Sequence, residues 1–360
     1  MRRSVHLCTT IEQLICELPD PDTMNNINIQ VLADTLKISK STVSKALRDS
    51  HEIGDETKKK VLELAAKLNY SPNPYASSLR KKKSKTIAVV LPEVADSFFS
   101  RIINGIQSVA EKKGYHVLIY LSHEKYNNEK NILNEIQNGR VDGVLISISR
   151  ETKNGDHITR LQSTGVPIVF FDRELESVHT AKVITNDFEC GYIATKHLLD
   201  KGCINPAFFS HSASLPICRQ REEGFRHAMN EAGFSKKDIH VSYCTDNEKE
   251  NYALIRKTLS GKNKPDGILA SVEKIALQVY VVSQEIMIAI PKELKVLAFS
   301  TIETASILNP SLSTITQPAV EMGKTAATIL FKGIEKKQFD LQNEKVIIPS
   351  VLIERASTGN

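Results

Sequence analysis

Five side chains between Lys40 and Arg48 have the types and spacing to grip a polyanion. At about 100° per residue, Lys40, Ser41, Ser44, Lys45 and Arg48 fall within one arc of about 140° on a helix, while Val43, Ala46 and Leu47 point the other way. The outer arc carries cations and short hydroxyls and no long acidic side chain. Such a face suits the major groove of DNA, where short donors reach phosphates and long donors reach guanine O6 and N7. An ordinary solvated face would mix both signs. Ser39, directly ahead, is a good N-cap. The charge distribution agrees. Between Met24 and Lys85 thirteen basic residues stand against six acidic ones, net +7, although all 360 residues together carry only +5.

The elements that must hold this face can be read around it. Ile29, Leu32, Ala33 and Leu36 recur at i, i+3, i+4 and i+7, one apolar helical stripe. Lys37-Ile38 makes a tight turn into the helix just described. A third helix begins at Asp55, a candidate N-cap, with Val61, Leu62, Leu64, Ala65 and Leu68 turned inward. Ser71-Pro72-Asn73-Pro74 breaks it; residues 74–80 read as a short helix, and Lys81-Lys82-Lys83-Ser84-Lys85 as a basic linker. Residues 1–23 are aperiodic and net acidic. They read as a disordered extension, with Met24 a candidate start.

From Thr86 the pattern changes. Apolar, β-branched runs at 86–92, 115–121, 142–148, 166–172, 206–211, 266–271 and 294–300 alternate with helical stretches. That alternation implies parallel sheets covered on both faces, and the length implies two lobes. Ligands in such folds bind at the C-terminal ends of the strands. No GxGxxG, P-loop or nucleophile elbow appears, which weighs against an NAD enzyme, an NTPase or a hydrolase. Cys8, Cys16, Cys190, Cys203, Cys218 and Cys244 form no CxxC pair, so free, mostly buried thiols are expected and no metal or cofactor. No run approaches the roughly 18 apolar residues of a membrane span and the start lacks an apolar signal core. A cytoplasmic protein is expected.

The segments SKSTVSKAL and DETKKKVLELAAKLNYSPNPYASSLR and the following TIAVVLP resemble the lactose/galactose repressor (LacI/GalR) family, from about Ile27 to Ile353. The resemblance implies an all-α helix-turn-helix headpiece joined to an α/β two-lobed domain with parallel sheets, like type I periplasmic sugar-binding proteins. Its boundaries are a headpiece at 27–71, a hinge helix and linker at 72–85, and an effector-binding and dimerisation domain at 86–355. The N-lobe is expected at about 86–186 plus 316–340, and the C-lobe at about 187–315 plus 341–355. The resemblance also implies a homodimer on a near-palindromic operator, double-stranded DNA, and a hinge that folds on it. Lys40, Ser41 and Lys45 take base-reading positions; Thr42 and Ser44 take positions against the backbone. Ser39, Arg48, Asn73 and Ala76 join the DNA-contacting set, and Leu79 takes the place of a minor-groove wedge. An apolar side chain pushed between base steps kinks the duplex; the alternative for Leu79 is a contact between two hinge helices. Lys37 departs from the usual Gly or Asn, and a left-handed backbone there costs a non-Gly residue about 1 kcal/mol.

In the second domain the resemblance assigns ligand positions to Asp96, Phe98, Asp172, Arg173, Arg221, Glu273 and Ser300. Phe99 reads as core. Asn186-Asp187 matches a segment on the cleft side of a strand. Arg221 resembles a planar clamp on hydroxyls or carboxylates, with a structural salt bridge as the alternative. Two positions depart: Val272 replaces an amide and Ser300 a carboxylate, so the pocket is expected to hold fewer polar groups. A modified or phosphorylated ligand and a pocket that no longer responds are both open. The expected function is a sequence-specific transcriptional regulator, a repressor, controlled by a small-molecule effector. The alternatives are a solute-binding protein, which has no use for SKSTVSKAL, and an α/β enzyme, for which no catalytic set converges.

Overall fold

The computed structural model describes residues 27–70 and 83–359, apart from 96, 138, 246, 337–340, 342 and 343. The extension at 1–23, the hinge helix at 74–80 with Asn73, Ala76 and Leu79, and Asp96 lie outside the described residues. The chain divides into two compact units between Lys81 and Lys82.

Among the described residues the first unit holds three helices, α1 (Ile29–Thr35), α2 (Lys40–Ala46) and α3 (Asp55–Lys67). Leu32, Ala33, Val43, Ala46, Val61, Leu64, Ala65 and Leu68 form its core, with Ile29, Leu36 and Leu47 packed at the margin. The apolar stripe therefore does what its period requires. Leu62 departs from the inward reading and is 53% exposed: on a stripe set by 61, 64, 65 and 68 it stands one residue, about 100°, off the seam. Asp55 is not the N-cap either; Gly54 occupies that position and Asp55 is the first helical residue, where its charge still favours the helix N-terminus.

Lys37 adopts φ 51°. Its N–H reaches the Asp34 carbonyl at 3.2 Å, and the next N–H, from Ile38, reaches Ala33 at 3.0 Å. The left-handed turn is thus kept without glycine. Lys37→Asn, a residue that tolerates this region better, is expected to raise headpiece stability by about 0.5–1 kcal/mol, read as an upward shift of the thermal midpoint. An unchanged or lower midpoint would show that Lys37 is unstrained.

The second unit holds two six-stranded sheets. The N-lobe runs β1 (Thr86–Leu91), α4 (Ser97–Lys112), β2 (His116–Leu121), α5 (Tyr126–Ile136), β3 (Gly143–Ile146), α6 (Asp156–Ser163), β4 (Ile168–Phe171) and β5 (Ala181–Thr185). The C-lobe runs α7 (Asp187–Asp200), β6 (Pro206–Ser210), α8 (Pro216–Glu231), β7 (His240–Tyr243), α9 (Glu248–Leu259), β8 (Gly267–Ala270), α10 (Glu273–Glu285), β9 (Lys295–Phe299) and β10 (Ser313–Thr316). The chain then returns to the N-lobe with α11 (Ala319–Glu335) and β11 (Lys345–Ile348), and ends in the C-lobe with β12 (Val351–Ile353). The strand orders are β11-β5-β4-β3-β1-β2 and β12-β10-β9-β8-β6-β7.

Two expectations are corrected here. Residues 341–355 do not all belong to the C-lobe, because β11 pairs in parallel with β5 of the N-lobe. The C-lobe sheet is not wholly parallel either, because β12 runs antiparallel to β10. The chain therefore crosses between lobes three times, near 186, 317 and 349.

Every residue of β1 is buried, and alternate side chains go to opposite faces. Ile87, Val89 and Leu91 pack with Ile102 and Ile106 of α4 and Leu330 of α11; Ala88 and Val90 pack with Leu133, Ile158 and Leu161. Helix pairs lock each lobe through glycines. A Cβ on Gly105 would stand 2.2 Å from the Val320 carbonyl oxygen, and one on Gly323 would stand 2.2 Å from that of Ile102. In the C-lobe, a Cβ on Gly191 would stand 2.2 Å from the Arg221 carbonyl oxygen, and one on Gly224 2.1 Å from that of Phe188. Among the described residues no helix is long and apolar enough to cross a membrane, and no cluster of His, Cys, Asp and Glu could hold a metal ion. Cys190, Cys203, Cys218 and Cys244 are free and buried, and burial pushes the Cys203 thiol up to about 12.

Candidate nucleic-acid interface and ligand cleft

The Ser39 hydroxyl accepts from the Thr42 N–H at 3.1 Å, the N-cap that starts α2. Val43 and Ala46 sink into the core and turn the opposite face outward. Lys40 and Ser41 are exposed. Ser39 gathers the hydroxyls of Ser41 and Thr42 at 2.6 and 2.8 Å. Arg48 folds back on its own helix, donating from Nε to the Ser44 carbonyl at 2.9 Å and from Nη2 to the Ser44 hydroxyl at 2.8 Å.

One expectation about this face changes. It was read as free of long acids, but Glu52, beyond the end of α2, forms an ion pair with Lys45. Among the described residues Lys40 has no such partner and is the cation most open to a ligand.

In the second unit, the cleft between the lobes is lined by Phe98, Phe99, Asp172, Arg173, Ile217, Arg221, Ser271, Val272, Glu273, Phe299, Ser300, Thr301 and Gln317. Six positions assigned from sequence thus converge: Phe98, Asp172, Arg173, Arg221, Glu273 and Ser300. Phe99 is buried in the core as read, and its ring also borders the cleft. Val272 and Ser300, the two positions that depart from the usual polar groups, both line it. Most of the polar groups that are present bond to one another.

Arg221, only 2% exposed, donates from Nε to Asp187 at 2.7 Å and from Nη1 to the Ser271 carbonyl at 2.7 Å. Its guanidinium stands 4.0 Å over the Phe299 ring. Arg173 donates from Nη1 to both Glu124 oxygens at 2.9 Å. Nη2 of Arg221 and Nε of Arg173 are buried without a hydrogen-bond partner, so two donors remain for ligand acceptors. Asp172 is held at φ 61° at the end of β4, a strained conformation of the kind that collects at functional sites.

Electrostatics follow from these pairs. Burial opposes the charge of Glu124, yet Arg173 and Arg150 beside it hold its carboxyl below the usual range. A depressed carboxylate contributes stability at neutral pH and loses it only as pH falls through the lowered value. Burial also works against the charge on Arg221, but Asp187 beside it raises its proton affinity further.

Glu273 opens α10 in the C-lobe and is 8% exposed. It accepts from the Ser300 hydroxyl at 2.8 Å, and across the cleft from the Ser97 hydroxyl at 2.8 Å and the Ser97 N–H at 3.3 Å. Sequence reasoning missed Glu124, Ser97, Thr301 and Gln317. Glu124 follows an edge strand and Gln317 sits at a lobe crossing, so neither lies on a periodic pattern.

Comparison with known proteins agrees with both units. The family of bacterial regulatory proteins, lacI family, matches residues 28–73, and that of periplasmic binding proteins and sugar binding domain of LacI family matches residues 84–356. An HTH-type transcriptional repressor PurR of Vibrio parahaemolyticus serotype O3:K6 is 30% identical over 327 residues, 89% of this chain and 97% of the relative. Catabolite control protein A of Priestia megaterium is 26% identical over 317 residues, covering 88% and 95%. Among solved structures, a lac repressor dimer bound to operator and the anti-inducer ONPF matches with a TM-score of 0.81 at 20% identity, over 93% of this chain and 99% of that one. A LacI family regulator from Enterococcus faecium with bound ribose matches with a TM-score of 0.69 at 24% identity, over 76% and 98%. Those structural likenesses speak for the fold, and the two family matches speak for more. The relatives are regulators and not enzymes. The chain belongs to the LacI family of bacterial regulatory proteins.

Proposed function

We propose that the chain is a transcriptional repressor that binds a near-palindromic operator as a homodimer, under the control of a small ligand in the interlobe cleft. The carrying observation is the face of α2: Lys40, Ser41, Ser44, Lys45 and Arg48 turned away from a core built by Val43 and Ala46. A solute-binding protein has no use for such a face. The operator-bound lac repressor dimer supports the DNA and dimer terms, and the ribose-bound neighbour supports the ligand. Leu118 and Ile119 on edge strand β2 are exposed and leave apolar surface for a second copy. The N–H groups of Arg221 and Arg173 that make no hydrogen bond suit a ligand rich in acceptor oxygens. Asn73, Ala76 and Leu79 supply the hinge contacts and the minor-groove wedge. With DNA as its target, the protein acts in the cytoplasm.

The test is fluorescence anisotropy with the operator and with random DNA. Lys40→Ala is expected to lose about 1–3 kcal/mol on the operator and much less on random sequence, as a base reader does. Glu52→Gln, which frees Lys45 and removes a negative charge from the face, is expected to tighten both and to steepen the salt dependence. Equal weakening of both DNAs by Lys40→Ala would remove it from the base-reading set. An unchanged Glu52→Gln would show that the ion pair does not screen the face.

A further inference from the structure

The two lobes meet across the cleft through direct side-chain bonds. The space left among its side chains is about 40 Å³, room for a few waters, whereas ligand pockets span roughly 300 Å³ and more. The closure is made by the protein's own groups, and they centre on Glu273. Its carboxylate takes the N–H and hydroxyl of Ser97, the first residue of α4. It is also the first residue of its own helix, α10. The N-terminus of α4 therefore faces a carboxylate that itself stands in the first turn of α10, and both are places that favour a negative charge.

The proton count closes. The Ser97 hydroxyl donates to Glu273 and accepts from the Thr301 hydroxyl at 2.7 Å, and the Ser300 hydroxyl donates to Glu273 while accepting from the Ile302 N–H at 3.1 Å. Among the described residues no Lys, Arg or His pairs with Glu273, so hydroxyls and helix ends carry the whole interaction. Around it, Arg101 meets Glu303 at 2.8 Å and Lys274 meets Glu93 at 2.7 Å, each pair joining one lobe to the other. Arg150 and His211 join them at a further point.

We propose that Glu273 is a tethered substitute for a ligand's anionic group: it seats its carboxylate on the N-terminus of α4 and holds the lobes closed with no effector bound. Closure is then this regulator's resting state, and an effector acts by displacing Glu273 rather than by drawing open lobes together. The inference rests on the reading of this cleft as the effector site. It also explains why Ser300 stands where a carboxylate is usual: the carboxylate comes from Glu273, and Ser300 serves it.

The test measures the lobe-to-lobe distance in the full chain without ligand. Spin labels at Lys153→Cys and Lys249→Cys, both exposed, in a Cys8→Ser, Cys16→Ser background, are read by pulsed electron paramagnetic resonance. Wild type is expected to give one short, narrow distance. Glu273→Ala and Ser97→Ala are expected to add a longer one, with the open fraction rising about tenfold from a minor population. Circular dichroism checks that each variant is folded, and Ser97→Ala, which leaves the carboxylate in place, guards against a misfolded Glu273→Ala. An open wild type would overturn the proposal, as would variants that stay closed. A parallel gel shift on the DNA upstream of the chain's own coding sequence keeps the readings apart. Loss of all DNA binding with the cleft still closed strikes the regulator reading and leaves the latch standing.

Discussion

Replacing Arg221 with Ala is expected to destabilise the second unit by about 3–5 kcal/mol, the range for removing one partner of a buried ion pair. The truncation strands the Asp187 carboxylate, itself buried, and leaves the Ser271 carbonyl without its donor. It also empties the space over the Phe299 ring. Asp187 is the first residue after a lobe crossing and Ser271 directly follows β8, so the guanidinium ties that crossing to the cleft wall. Urea denaturation followed by tryptophan-free probes, such as far-UV circular dichroism, reads the loss directly. The double variant Arg221→Met with Asp187→Asn is expected to recover much of it, since no charge is then left unpaired. A single variant as stable as wild type would mean that Asp187 finds water or another donor. Arg221 therefore serves stability first, and any loss of ligand response in Arg221→Ala has to be separated from that.

The second large effect is steric. Gly224→Ala places a methyl 2.1 Å from the Phe188 carbonyl oxygen, and Gly105→Ala places one 2.2 Å from that of Val320. Both neighbours are backbone atoms in a packed helix pair and cannot swing aside. Each substitution is expected to lose about 3 kcal/mol or more, at the upper end for overpacking. Gly261→Ala, whose nearest obstacle stands at 3.4 Å, is the control and is expected to change little. Thermal midpoints in the order Gly261→Ala, then the other two far below, check the claim. Because the two clashes lie in different lobes, their losses are expected to add. A Gly224→Ala midpoint equal to the control would show that α7 and α8 part easily.

Much of this was legible in the sequence, for identifiable reasons. The stripe through Leu32 and Ala33, the Ser39 cap and the runs at 86–92 and 294–300 follow from periodicity, since a buried face must repeat with its element. Among the strands that the sequence does not disclose are Ala181–Thr185, His240–Tyr243 and Lys345–Ile348. The last two are edge strands with half-exposed side chains, and the first alternates around a lysine, so none shows a continuous apolar run. Glu52 lies beyond the end of the helix that carries Lys45, so helical periodicity does not relate the two. In the cleft, Arg221, Arg173, Asp172, Glu273 and Ser300 were legible as motif positions, Arg221 inside α8 and the others at a strand end or helix start. Their partners were not. Ser97 and Glu273 are 176 residues apart, and only the closed arrangement of the two lobes brings them together.

The three crossings between lobes have a consequence for how the chain is made. The N-lobe core draws Met322, Ala326, Ala327, Leu330 and Phe331 from α11, and its sheet takes an edge from β11. A ribosome therefore synthesises the whole of the C-lobe helical series before the N-lobe can close its core. Through that interval Ile87, Val89, Ile102 and Ile106 lack the helix that covers them, and apolar surface of this kind is where nascent chains aggregate or recruit chaperones. Neither sheet is finished until residues 345–353 emerge, so the first half of the chain cannot complete a lobe on its own. A stop anywhere before residue 348 leaves two defective lobes rather than one good one.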